Sequence, residues 1–150
     1  MLKKVTLPIT FLFLLALDRF TKALVQQNQN LLNSKLLKLT YSQNNSLFFF
    51  NIPLLVLITI SIIGLILITI WLRDAYQQKE KLLIIALLLI ITGGISNFYD
   101  RLFTGFVIDW IWTALLPISI FNFADIYITL GVTLAILSQF SLTKKTKSKT

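Results

Sequence analysis

Asp109 and Asp125 are the residues of this chain best placed to do chemistry. Uncharged sequence runs from Trp110 to Ala124 between them and from Ile126 to Leu142 beyond them, and the chain holds neither histidine nor cysteine. Ionising a carboxylate in apolar surroundings is costly unless it is paired, solvated or protonated, so an acid embedded in a membrane is a functional candidate by default. Two carboxylates held close in a poorly solvated place do not both ionise cheaply; one keeps a proton while the other can take one from water. Such a pair can drive water onto a peptide carbonyl and later protonate the leaving amine, without a metal or a covalent nucleophile. The missing residue types exclude Ser–His and Cys–His nucleophiles, thiolate metal sites and disulfides. No metal and no cofactor is expected. The sequence spacing leaves open whether the two aspartates meet.

The elements that must position them are apolar. Hydrophobic residues make up 56% of the 150 positions and charged residues only 13%, a balance that suits a bilayer rather than water. The length allows one domain, 1–150, with a basic tail from about residue 143 to 150. Uncharged or nearly uncharged runs of helical span length cover Val5 to about Val25, Ile52 to Leu72, Leu82 to Tyr99 and Phe123 to Leu142. The first is read as an uncleaved helix, because its apolar run leads into Asp18 and Arg19 with no small-residue cleavage signature. The expectation is an all-α integral membrane protein with four transmembrane helices.

Basic residues set its direction. Lys3, Lys4, Arg73, Lys79, Lys81, Lys144, Lys145, Lys147 and Lys149 on one side outnumber Lys35, Lys38 and Arg101 on the other, which places both termini in the cytoplasm. The net charge of +8 sits at segment ends and in the tail rather than along one amphipathic face, so no nucleic-acid partner is expected. Gln26–Asn51 and Asp100 to about Asn122 become long outer connections, and Arg73–Lys81 a short inner turn. Alternation of Leu37, Leu39 and Tyr41 with Lys38 and Thr40 predicts a short strand in the first connection, while Asp109 falls in the second as a loop residue. Phe48, Phe49, Phe50, Trp110 and Trp112 suit an interfacial aromatic belt.

On this topology Asp18, Asp100, Asp109 and Asp125 gather at one membrane level, near the outer face. Helical spacing lets Asp18 pair with Lys22, puts Asn97, Asp100 and Arg101 on one face, and sets Asn122 three residues before Asp125. Each grouping also has a plain structural reading: Asn122 as a helix N-cap with Asp125 answering the helix dipole, and Asp18 with Lys22 or Asp100 with Arg101 as ion pairs at membrane ends. Alternatives of other classes are a small proton-coupled transporter or channel, which would spread acids through the membrane's depth, and a non-enzymatic membrane scaffold, in which Asp109 would be replaceable.

Five blocks then carry a resemblance. Asp18-Arg19-Phe20-Thr21-Lys22, Asn44-Asn45-Ser46-Leu47-Phe48-Phe49, Gly93-Gly94-Ile95-Ser96-Asn97-Phe98-Tyr99-Asp100-Arg101, Gly105-Phe106-Val107-Ile108-Asp109-Trp110 and Phe121-Asn122-Phe123-Ala124-Asp125 stand in this order. The chain resembles the bacterial lipoprotein signal peptidase (signal peptidase II) family over nearly its whole length. The resemblance implies an intramembrane aspartyl endopeptidase of the bacterial cytoplasmic (inner) membrane, working near the extracytoplasmic face. It would remove signal peptides from diacylglyceryl-modified prolipoproteins, with membrane lipids as its other partners and a single chain acting alone. Asp109 and Asp125 would be the catalytic pair, with acid and base unassigned because coupled carboxylates titrate together. Asn44, Asn97 and Asn122 would position substrate or the pair, Arg101 would bind backbone carbonyls, and Asp18, Lys22 and Asp100 would support the site. Ser46 and Ser96 stand where the family usually has glycine and Trp110 where it has phenylalanine; a side chain at Ser96 is expected to alter helix packing beside Asn97.

Overall fold

The computed structural model describes residues 2–45, 52–115 and 120–147, and the side chains of 9–45, 52–115 and 120–140 among them. Ser46 and the Phe48–Phe50 aromatic run lie outside the described residues. The elements follow in the order α1 (Leu2–Gln27), β1 (Asn30–Asn33), β2 (Leu37–Asn44), α2 (Leu54–Gln78), α3 (Lys81–Thr104), β3 (Val107–Thr113) and α4 (Phe123–Lys147). By length and composition α2, α3 and the Phe123–Phe140 stretch of α4 can each cross a membrane. α1 is a helix of 26 residues over the stretch expected as the first span.

Helix α2 is apolar all round and buries only Leu57 and Ala75, leaving residues such as Leu55, Ile63 and Leu67 facing outward. A helix of that kind suits hydrocarbon as its solvent. It runs on to Gln78, beyond the expected end at Leu72, so the inner turn shrinks to Lys79 and Glu80. Lys79 adopts the left-handed conformation at φ 59°, its N–H donates to the Tyr76 carbonyl at 3.2 Å, and the Glu80 N–H donates to Ala75 at 3.0 Å. That nested pair of bonds satisfies the Ala75 and Tyr76 carbonyls near the end of α2 and reverses the chain in two residues.

Helix α3 is the central element. Its buried face runs from Leu83 through Leu87, Ile91 and Gly93 to Asn97 and Asp100, and its N-terminal half shares a core with Ala75 of α2 and Ala135 of α4. Two glycines let α3 and α4 approach closely. A Cβ on Gly93 would run into the Ala124 carbonyl, and one on Gly131 would lie 2.6 Å from the Ala86 carbonyl oxygen. Small residues at a helix crossing inside a membrane allow this backbone contact, which dispersion then rewards. Gly93→Val is therefore expected to push α4 outward and cost ~1–3 kcal/mol or more, as overpacking does, and to move Asp125 with it. Gly64, where an added Cβ meets nothing within 4 Å, is the control: thermal unfolding in detergent should show Gly64→Ala neutral or stabilised and Gly93→Val clearly destabilised.

The second connection departs from expectation. Instead of a loop it carries β3, which lies antiparallel to β2 in a three-stranded sheet of order β1-β2-β3. Asp109 is thus a strand residue, in register with Ser42. The strand escapes a simple period-two reading because Val107, Ile108, Asp109 and Trp110 are all buried, so both faces are covered and no polar–apolar alternation marks it. The strand expected at Leu37–Tyr41 exists and extends to Asn44, with a register shift between Leu39 and Ser42. The fold is mostly helical with a small sheet. α3 also continues past Asp100 and Arg101, which were expected to stop it, and ends where Gly105 takes φ +85°.

Candidate functional site

Asn122 organises the site. Its side-chain oxygen accepts the Asp125 N–H at 3.0 Å while the Asp125 carboxylate accepts the Asn122 N–H at 3.1 Å. This is a reciprocal cap at the start of α4, with aspartate in the role glutamate usually takes. The structural reading of the pair therefore holds. The other end of the same amide reaches away from the helix: Asn122 Nδ2 donates to Asp109 Oδ1 at 2.6 Å, with the Ile108 carbonyl and Asn97 Oδ1 each at 3.3 Å. One buried side chain thus ties the helix-borne Asp125 to the strand-borne Asp109.

Amide donors complete both carboxylates. Asn44 Nδ2 donates to Asp109 Oδ2 at 2.8 Å from β2, and Asn97 Nδ2 donates to Asp125 Oδ1 at 2.8 Å from α3. Asp109, which has no polar companion near it in sequence, is partnered entirely by residues distant along the chain. Burial and the neighbouring charge of Asp125 push the Asp109 carboxyl up to about 7, against the opposing pull of the Asn44 and Asn122 amides and the Lys22 charge. The folded chain then holds a proton on Asp109 from about pH 4 to pH 7 that the unfolded chain releases. Its contribution to stability is full below the ordinary carboxylate range and is lost as pH rises through about 7. Thermal unfolding of wild type and Asp109→Asn between pH 4 and 8 is expected to show the relative stability of the variant rising with pH, by on the order of a few kcal/mol at the alkaline end.

Beneath the pair lies a second buried cluster. Lys22 contacts Asp18 at 3.0 Å, Asp100 at 2.8 Å and Asn97 Oδ1 at 2.9 Å, and Lys22, Asp18 and Asp100 have no exposed surface. Asp18 Oδ1 accepts the Ala124 N–H at 2.9 Å, satisfying another donor in the first turn of α4, and Asp100 Oδ2 accepts the Ile108 N–H at 3.2 Å from β3. The cluster therefore fixes the strand and helix that carry Asp109 and Asp125. Burying ions is expensive, and removing one partner of such a set typically costs ~3–5 kcal/mol.

Two expectations change here. Asp100 does not pair with its neighbour Arg101; its partners are Lys22 and Arg19, the latter also lying 4.4 Å over the Tyr99 ring. Adjacent helix residues point in different directions, so Arg101 sits apart, within electrostatic reach of Asp125, Asp109 and Asp100 but with its buried Nε finding no acceptor. Arg19 was missed as a site residue, although a charge inside an otherwise apolar span was the signal for it. Ser96, expected to alter helix packing beside Asn97, is fully buried and donates its hydroxyl to Asp18 Oδ2 at 2.5 Å, a contact between helices that glycine would not make. Trp110 packs edge-on against Phe123 at 5.0 Å, and Lys38 lies 4.9 Å over Trp112.

All nine residues singled out in the sequence are within the described structure, and eight join one hydrogen-bonded network, with Arg101 alongside. Long apolar helices and a small sheet, with buried carboxylates where they meet, define a helical membrane protein with a buried polar site. Residues 10–141 match the family model described as signal peptidase (SPase) II. The chain belongs to the signal peptidase II family, a family of proteases, and is a bacterial membrane protein. It is 37% identical to a lipoprotein signal peptidase of Streptococcus thermophilus over 91% of this chain and 93% of that one. A lipoprotein signal peptidase of Streptococcus agalactiae is 33% identical, over 87% and 89% of the two chains. A bacterial membrane enzyme solved by the in meso method superposes with a TM-score of 0.81 at 28% identity, over 97% of this chain and 92% of that one. A second such structure gives 0.71 at 26% identity.

Proposed function

We propose that this chain is an intramembrane aspartic endopeptidase that removes signal peptides from diacylglyceryl-modified prolipoproteins. The observation that carries the reading is the Asn122 side chain, which accepts the Asp125 N–H with one end and donates to the Asp109 carboxylate with the other, and Asp125 lies within electrostatic reach of Asp109. Asp109, pushed up to about 7, suits sharing a proton at neutral pH. One carboxylate takes a proton from water as it attacks the scissile carbonyl; the other polarises that carbonyl and then protonates the leaving nitrogen. Asn44 and Asn97 hold the pair in orientation, and the free Arg101 Nε–H is a donor for a substrate backbone carbonyl.

In this reading the chain is one domain of four spans with both termini in the cytoplasm, acting as a single chain in the inner membrane. The sheet lies at the extracytoplasmic face, and the substrate, itself an apolar helix with a lipid, reaches the pair laterally. Reporters fused at Lys38 and Thr113 test the orientation; cytoplasmic signals at either position refute it. The activity is tested with purified protein and a prolipoprotein with and without its diacylglyceryl group. Cleavage confined to the lipidated form is expected, and equal cleavage of both overturns the substrate assignment.

A further inference from the structure

Lys22 has three N–H donors, and all three are engaged: by Asp18 on its own helix and by Asn97 and Asp100 on α3. Two of those contacts neutralise charge. The third is to a neutral amide, and it decides which way that amide faces. With Asn97 Oδ1 accepting from Lys22 at 2.9 Å and from Asn122 at 3.3 Å, Asn97 Nδ2 is left to donate to Asp125 at 2.8 Å. Rotating the amide by half a turn would set its NH2 against an ammonium and its oxygen against a carboxylate, two mismatches in a buried place. The Ser96 hydroxyl reinforces the arrangement from behind, because it donates to the same Asp18 oxygen that Lys22 contacts and so fixes the carboxylate the ammonium rests on.

We propose that Lys22 is a positioning residue for the peptidase reaction: its ammonium locks the Asn97 amide so that Asn97 presents a donor to Asp125. This inference rests on the dyad reading above and adds a residue that touches neither the water nor the peptide. Its consequence is kinetic. Without the lock, Asp125 keeps its cap contact from Asn122 but loses a fixed donor at Oδ1, and the carboxylate turns out of line with the attacking water. A misplacement of this size is expected to lower kcat by about 10²-fold, with KM changed less than about 3-fold because no substrate contact is removed.

The experiment keeps the buried charge balanced. Removing Lys22 alone leaves Asp18 without a cation while Arg19 still pairs with Asp100, so Lys22→Met is made on an Asp18→Asn background and compared with Asp18→Asn, in the full-length protein with lipid-modified prolipoprotein as substrate. Expected are a cooperative thermal transition, a kcat about 10²-fold lower and an unchanged KM. Repeating the step with Asn97→Ala also present is the decisive comparison: once the amide is gone there is nothing to orient, and Lys22→Met should then cost less than about 3-fold. An undiminished kcat on the Asp18→Asn background, the same loss with and without Asn97, or a variant that no longer folds assigns Lys22 to stability alone and overturns the proposal. The dyad reading fails separately, through retained cleavage by Asp109→Asn or Asp125→Asn.

Discussion

Asp109→Asn and Asp125→Asn are each expected to abolish cleavage of a lipid-modified precursor while leaving the chain folded. General acid–base assistance contributes ~10²–10⁴-fold per group, and in the proposed mechanism the base and the acid depend on each other, so a loss of ~10⁴-fold or more is expected from either change. The substitutions are nearly isosteric but not equal in their side effects. Both oxygens of Asp125 accept, one from the Asn122 backbone and one from Asn97. An asparagine offers a single acceptor, so one donor meets an NH2, at about 1–3 kcal/mol. Asp109 loses an acceptor for Asn44 or Asn122 in the same way. It also sheds a carboxylate that burial and Asp125 disfavour, so Asp109→Asn should be the more stable variant above neutral pH. Cleavage assays on purified protein, read beside thermal unfolding, separate a dead but folded enzyme from a misfolded one. Processing retained by either variant refutes the pairing.

Much of this arrangement was legible in the sequence, and the parts that were not share a physical cause. The uncharged runs around Asp109 and Asp125 marked both acids because a bilayer makes any intramembrane charge conspicuous. Helical spacing gave the Asp18–Lys22 contact and the Asn122–Asp125 cap, which are local and follow from the turn of one helix. Spacing failed where partners come from different elements. The Asp100 partnership with Lys22 and Arg19 depends on how α1 lies against α3, and neighbouring Arg101 was the wrong partner to expect. Strand β3 was hidden for a related reason: Val107 to Trp110 are all buried, so they show no alternation to reveal them. Ser96 shows the reverse case. Read as a substitution for glycine it implies altered packing beside Asn97, whereas the structure shows what the added hydroxyl does, a bond donated to Asp18 on another helix, which no reading of α3 by itself could give.

Asn122 offers the sharpest separation of structure from chemistry, because its two functions belong to the two ends of one amide. Serine is as good an N-cap as asparagine and can still accept the Asp125 N–H, but its short side chain does not extend to Asp109 Oδ1 and the Ile108 carbonyl. Asn122→Ser is therefore expected to keep the cap, to cost about 1–3 kcal/mol for the lost donor to Asp109 and Ile108, and to lower kcat by about 10²-fold or more, since Asp109 loses its orienting donor. Asn122→Ala removes both functions and should add the loss of the cap, about 1 kcal/mol, to the same kinetic defect. Asn122→Asp is the severe case. It keeps an oxygen for the cap but replaces the donor 2.6 Å from Asp109 with a third carboxylate oxygen, and like charges so close in a buried place force another proton onto the cluster. Thermal unfolding should rank the variants serine, alanine, aspartate from most to least stable at pH 8, whereas the cleavage assay should show all three impaired. Full activity in Asn122→Ser would show that the amide's reach to Asp109 is incidental to its cap, and the link between the two carboxylates would then have to come from elsewhere.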